Sequence, residues 1–235
     1  MAIKPILFNT EMVRAILDGR KTCTRRICKD ANEYTVPDMD FYNADSRTYA
    51  VHNFADKEQM EQLSTVERTC PICPGDILYV RETWERFECW NCEGDERGNC
   101  PKEPKKSVLN KTCGCYMYRA TDEISGDAKW HPSIHMPKEA ARIWLKVTDV
   151  RVERLQEITE DGAKAEGINE EWAMSWWSPT YYAPDSGGYP KYRDTFAFEV
   201  WNKTIKKSDI DRFGWDANPW VWVIEFERCE KLKGV

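Results

Sequence analysis

Nowhere does the chain approach the roughly 20 consecutive apolar residues that a membrane-crossing helix needs, although 41% of its 235 residues are hydrophobic. Its N-terminal MAIKPILFNTEM also lacks the basic start, long apolar stretch and small-residue cleavage site of a secretory leader. Nothing in it directs export, so a cytoplasmic location and no membrane partner are expected. Histidine is scarce, at three residues, which makes a hydrolytic metal centre built from several imidazoles improbable. Positive charge is not in excess either. The formal net charge of -6 excludes a surface that is basic all over, as general polyanion binders require. Internal repeats and low-complexity tracts are absent.

What is present is a globular composition, with 31% charged residues and a length suited to one core carrying insertions. A single domain over 1-235 is expected. Charge is uneven along it. Before residue 30 stand Lys4, Arg14, Arg20, Lys21, Arg25, Arg26 and Lys29, against only Glu11 and Asp18. An anionic ligand is expected there.

The opening ILFNTEMVRAILDGRKTCTRR reads as strand, helix, strand. Asn9 or Thr10 caps the helix, Met12, Val13, Ile16 and Leu17 form its apolar face, and Gly19 ends it. In the extended TCTRR that follows, Thr22, Thr24 and Arg26 point one way and Cys23 and Arg25 the other. PGDILYVRETW predicts a turn followed by a core strand. RIWLKVTDVRVERL predicts a long strand, with Asp149 and Glu153 solvated. It leads into a helix capped by Thr159 and stopped by Gly167, with Glu166 on the last turn. FAFEVWNKTI predicts a helix, and NPWVWVIEFERC a strand with Trp220, Trp222, Ile224 and Phe226 on one face. Three stretches interrupt this pattern: residues 30-68, polar and expected to be irregular; 87-118, rich in Cys, Lys and Gly; and 170-195, an aromatic loop. In the last, Trp172, Trp176, Trp177, Tyr181 and Tyr182 are expected to pack as a lid, the alternative being base stacking.

Ten cysteines without an export signal point to metal or free thiols rather than a disulfide framework. Cys89-x-x-Cys92 and Cys113-x-Cys115 have the form of two knuckles presenting four thiolates to a structural zinc, with Cys100 as an alternative ligand. Such a site would stabilise an insertion with little apolar core of its own. Cys70-Pro-Ile-Cys73 has no matching pair and reads as free thiols, as do Cys23, Cys28 and Cys229. His131 and His135 flank a loop near the expected site and are assigned structural roles.

The run Gly19-Arg20-Lys21-Thr22-Cys23-Thr24-Arg25-Arg26 resembles the G-x-K-x-x-T-x-R signature of ASCH domains. The Gly75-Asp76 turn, the KVTDVRVERL strand, Ala165-Glu166-Gly167 and the terminal VWVIEF strand extend the resemblance over most of the chain outside the three insertions. The stretches KPILF, VRETW, PSIHMP and DANPWVW are similar to the longer ASCH proteins of tailed phages and prophages. This resemblance implies an α+β, mainly β fold: a PUA-like β-barrel with flanking helices and a Cys-rich insertion, working in a bacterial or phage-infected cell.

Short bacterial members of that family remove the acyl group from N4-acetylcytidine with a Lys, a Thr and a Glu. By register these correspond to Lys21, Thr24 and Glu166, with no cofactor for catalysis. Arg20, Arg25 and Arg26 are then candidates for binding substrate or phosphate. The resemblance leaves three activities open: amide hydrolysis on a modified nucleoside, a non-catalytic RNA-binding module using the same basic cleft, and a ribonuclease.

Overall fold

The structure is a computed structural model and describes residues 1–29, 35–54, 62–88, 114–123, 129–176 and 192–231. Its centre is a five-stranded sheet with the order β1-β6-β9-β10-β2. These strands are β1 (Ile3–Leu7), β2 (Cys23–Ile27), β6 (Ile77–Arg81), β9 (Trp144–Arg154) and β10 (Trp220–Cys229). β1 runs parallel to β6, and the other pairs are antiparallel. The fold is α+β and mainly β, as expected. Among the described residues no helix is long and apolar enough to cross a membrane.

Both faces of β10 are buried, which explains its near-continuous apolar sequence. Trp222, Ile224 and Phe226 enter the larger core with Val147 and Val150 of β9 and with Met12, Val13 and Ile16 of α1 (Thr10–Leu17). Val221 and Val223 enter a second core, under the helices. The expectation of one apolar face on the terminal strand is therefore half of what is found. The ladder to β9 shifts register between Glu225 and Phe226, where β9 carries the extra residue, Thr148.

The stretch 30-68, expected to be irregular, carries a three-stranded antiparallel sheet among its described residues: β3 (Thr35–Asn43), β4 (Thr48–Phe54) and β5 (Gln62–Thr69). Its Tyr49 and Val51 pack into the larger core, Tyr49 meeting Trp222 edge-on at 4.9 Å between ring centroids. Asp76 ties this sheet to the centre. Its carboxylate, fully buried, accepts from both Arg47 guanidinium ends and from the Ala2 and Cys73 amides. Burial alone would raise the Asp76 pKa. The Arg47 hydrogen bonds, with those of the two amides, outweigh burial and hold it at about 2.

β7 (Trp84–Glu88) and β8 (Gly114–Tyr118) form a hairpin that frames the Cys-rich insertion. The candidate zinc ligands Cys89, Cys92, Cys100 and Cys113 lie outside the described residues, and of Cys115 only its place in β8 is described. Among the described residues no group of three or more His, Cys, Asp or Glu side chains is arranged to hold a metal ion. Cys23, Cys70, Cys73 and Cys229 are free thiols, and Cys28 is buried in the larger core.

The helical elements pack beside β2. α1 is capped by Asn9, whose side chain accepts from the Met12 amide at 2.9 Å. α2 (Glu160–Ala165) is capped by Thr159, and α3 is Glu170–Trp176. The predicted FAFEVWNKTI helix is present: α4 (Tyr192–Thr195) runs into a π-helical turn, Phe196–Trp201, and then α5 (Asn202–Thr204). π-helical turns are rare and concentrate where a helix must present particular side chains.

Candidate active site

The basic segment and α2 meet through main chain before any side chain is involved. Arg20 and Lys21 amides donate to the Ala15 carbonyl, and the Thr22 amide donates to Ala165 at 2.9 Å. This brings the end of α2, where Glu166 is the cap residue, against the start of β2. Gly167 makes the approach possible. It has a φ of +102°, and a Cβ there would stand 2.7 Å from that of Ala15 and 3.1 Å from that of Lys21.

Lys21 and Glu166 are brought together as the sequence predicted. Nζ donates to Glu166 Oε2 at 2.6 Å and to the Glu166 carbonyl at 2.9 Å, with the two side chains 1% and 3% exposed. Burial pushes the Lys21 pKa below 10.5, while the neighbouring Glu166 carboxylate opposes that shift. Glu166 also accepts from Arg25 Nη1 at 3.3 Å.

The alternation predicted for β2 holds. Thr24 and Arg26 share one face, and Arg26 Nη1 donates to Thr24 Oγ1 at 2.6 Å. Cys23 and Arg25 share the other, with Arg25 Nη1 3.8 Å from the Cys23 sulfur. Burial, followed by the Glu166 charge, pushes the Cys23 thiol up to about 12, so it stays protonated and is no nucleophile.

These groups line one cleft of about 350 Å³. Lys21, Thr24, Arg25, Arg26 and Glu166 supply its polar end; Leu7, Phe8, Phe196, Val200 and Trp201 supply apolar walls. The Phe8 ring lies 5.4 Å from Lys21 Nζ and 5.3 Å from the Arg26 guanidinium, and the Phe196 ring lies 6.0 Å from that of Arg25. Three cationic side chains face one cleft carboxylate. Arg25 Nε is buried and has no hydrogen-bond partner among the described residues. The arrangement suits a small ligand that is part apolar and that carries or develops negative charge.

Sequence reasoning missed several participants. Glu153 is only partly exposed; it accepts from Arg25 Nη2 at 3.4 Å and is gripped in turn by Arg151. Only the register could have revealed this, since Arg25 and Arg151 both stand opposite Val223 of β10 and so share a sheet face. Phe196 and Val200 belong to a segment read only as a helix. Arg20 is not among the residues lining the cleft; it donates to the Gly167 carbonyl and to Asp18 at 2.9 Å. His131 bridges to Trp84 in main chain, and neither it nor His135 lines the cleft. Trp172 packs against both cores, whereas Trp177, Tyr181 and Tyr182 lie outside the described residues.

No family profile matches the sequence of this chain, and no curated protein does. Among solved structures, the crystal structure of an ASCH domain from Lactobacillus crispatus JV V101 aligns with 97% of this chain and 79% of that chain. The similarity is to an ASCH domain. Identity is 12% and the TM-score 0.32, so the description of the fold rests on the strand order and register given above.

Proposed function

We propose that this chain is an ASCH-domain protein with a PUA-like barrel that acts on RNA or a modified nucleoside, hydrolysing an amide such as the acyl group of N4-acetylcytidine. The observation that carries this reading is the convergence of a buried Lys21–Glu166 pair, the Thr24 hydroxyl and two guanidinium groups in one cleft.

Amide hydrolysis needs a nucleophile, a base for its proton, and positive charge where the carbonyl oxygen becomes negative. Thr24 Oγ1 accepts from Arg26, which leaves its own proton free to be given away and sets a cation beside the oxygen that loses it. Lys21, with its lowered pKa, is the base for that hydroxyl or for a water. Attack on the acyl carbon moves the carbonyl electron pair onto oxygen, where Arg25 or Arg26 offers donors. Glu166 orients Lys21 and relays the proton that Lys21 took from Thr24 to the leaving amine; as the C–N bond breaks the amine departs and the acyl group stays as an ester on Thr24 Oγ1. A water, deprotonated in turn by Lys21, then adds to that ester and expels Thr24 Oγ1, which regains its proton as the carboxylic acid is released.

The apolar walls and the volume suit one nucleoside rather than a duplex. The test is incubation with N4-acetylcytidine and related acylated nucleosides, products being resolved by chromatography. Turnover by the wild type, lost in Thr24→Ala and Glu166→Gln with nucleoside affinity kept, supports hydrolysis. Affinity without turnover, weakened in Lys21→Ala and Arg26→Ala, supports the RNA-binding alternative. Cleavage of unmodified RNA supports a ribonuclease.

A further inference from the structure

The cleft lies along a strand edge. β1 and β2 are the two edges of the central sheet, and the cleft lining takes Leu7 and Phe8 from the end of β1 and Thr24 to Ile27 from β2. At this seam the two edges are joined by a side chain: Arg26 Nη2 donates to the Leu7 carbonyl at 3.2 Å.

Which backbone groups of β2 face the seam follows from the register. The Phe226 amide donates to Thr22, and the Cys28 amide to Trp220. Both pairs share the antiparallel register that sets Thr24 opposite Ile224 and Arg26 opposite Trp222. In an antiparallel pair, hydrogen-bonded and non-hydrogen-bonded residues alternate. Thr24 and Arg26 therefore bond to β10, and Cys23, Arg25 and Ile27 turn their N–H and C=O groups outward. Cys23 faces α2, its thiol 3.9 Å from the Gly162 carbonyl. The Arg25 carbonyl accepts from Arg26 Nη1 at 2.9 Å. The Arg25 amide and both main-chain groups of Ile27 find no partner among the described residues, yet both residues line the cleft and Arg25 is 4% exposed. Arg25 Nε, buried and unpartnered, is in the same place.

Unmet donors beside an acceptor in a small, partly apolar cleft are the complement of a ligand's own hydrogen-bonding edge. An added peptide strand is a poor fit. The open stretch offers only residues 25 and 27, with α2 covering its start. A flat ring or amide with one acceptor beside one donor fits. We infer that the outward main chain of β2 at Arg25 and Ile27 reads the hydrogen-bonding edge of a cytidine-type base, completing the seam between β1 and β2. This deepens the nucleoside reading above and rests on it.

Recognition by main chain is tested by changing main chain. Incorporating the α-hydroxy acid counterpart of isoleucine at position 27 replaces the Ile27 N–H by an ester oxygen and leaves the side chain in place; Ile27→Pro removes the same donor. The ladder to β10 does not use this N–H, so the melting temperature should stay within a few degrees of wild type in the ester variant. Its affinity for N4-acetylcytidine by calorimetry should fall by roughly tenfold, the size of one hydrogen bond left unmade. Unchanged affinity in the ester variant, with wild type binding normally, overturns the inference and leaves the nucleoside reading standing. A large drop in melting temperature overturns it too, because the N–H would then be serving the fold. Wild-type protein that neither binds nor hydrolyses any nucleoside overturns the parent reading instead.

Discussion

At the scale of single residues, the cleft is a balance of buried charge. Lys21 and Glu166 are each nearly inaccessible, and removing one partner of such a pair leaves the other unmatched, at a cost of about 3–5 kcal/mol. Lys21→Met should therefore unfold at distinctly lower denaturant. The double variant Lys21→Met with Glu166→Leu should recover most of that loss while remaining inactive; chemical denaturation paired with the acetylcytidine assay checks both. In the proposed hydrolysis the neutral Lys21 amine is the working form, so its lowered pKa predicts a rate that rises with pH through a midpoint below 10.5. A pH–rate profile without a basic rise would remove Lys21 from that role. Lys21, Thr24 and Glu166 were legible because a spaced motif and a helix stop mark them. Glu153 was not, since its importance comes from a register between strands more than 100 residues apart in sequence.

At the scale of elements, the close approach of α2 to β2 depends on Gly167. Gly167→Ala would set a methyl 2.7 Å from Ala15 Cβ at a φ that alanine rarely adopts. Its expected signature is a loss of stability in thermal melts together with reduced turnover, since Lys21 is the other neighbour displaced. Strands with strong apolar runs and helices with side-chain caps were readable from sequence: β9, β10 and α1 lie where periodicity and Asn9 put them. The β3-β4-β5 sheet was not. Its strands are polar on one side and carry Pro, Asp and Asn, so their identity comes from pairing with each other and from Tyr49 and Val51 reaching the core. The π-helical turn was likewise invisible, because periodicity separates helix from strand but not one helical pitch from another. A structural zinc on Cys89, Cys92, Cys113 and Cys115, or with Cys100, remains a proposal from spacing. It predicts about one zinc per chain by elemental analysis, lost in Cys89→Ser.

At the scale of the whole molecule, Asp76 joins the N-terminus, the β3-β4-β5 sheet through Arg47, and the turn into β6. Its pKa falls from 3.8 to about 2 on folding. A depressed carboxyl contributes stability above its unfolded pKa and loses it as pH drops through the folded value, here between roughly pH 4 and 2, and the shift corresponds to about 2 kcal/mol. Acid unfolding followed by circular dichroism should show this component, and Asp76→Asn should flatten it. The seam between β1 and β2 has a further consequence. Unpaired strand edges invite copies of a protein to join sheet to sheet. Here the outward groups of β2 without a partner among the described residues are confined to Arg25 and Ile27, which line a cleft walled by Phe8, Phe196 and Trp201. An edge open over so few residues gives a second copy of the chain too little to pair with for sheets to join there.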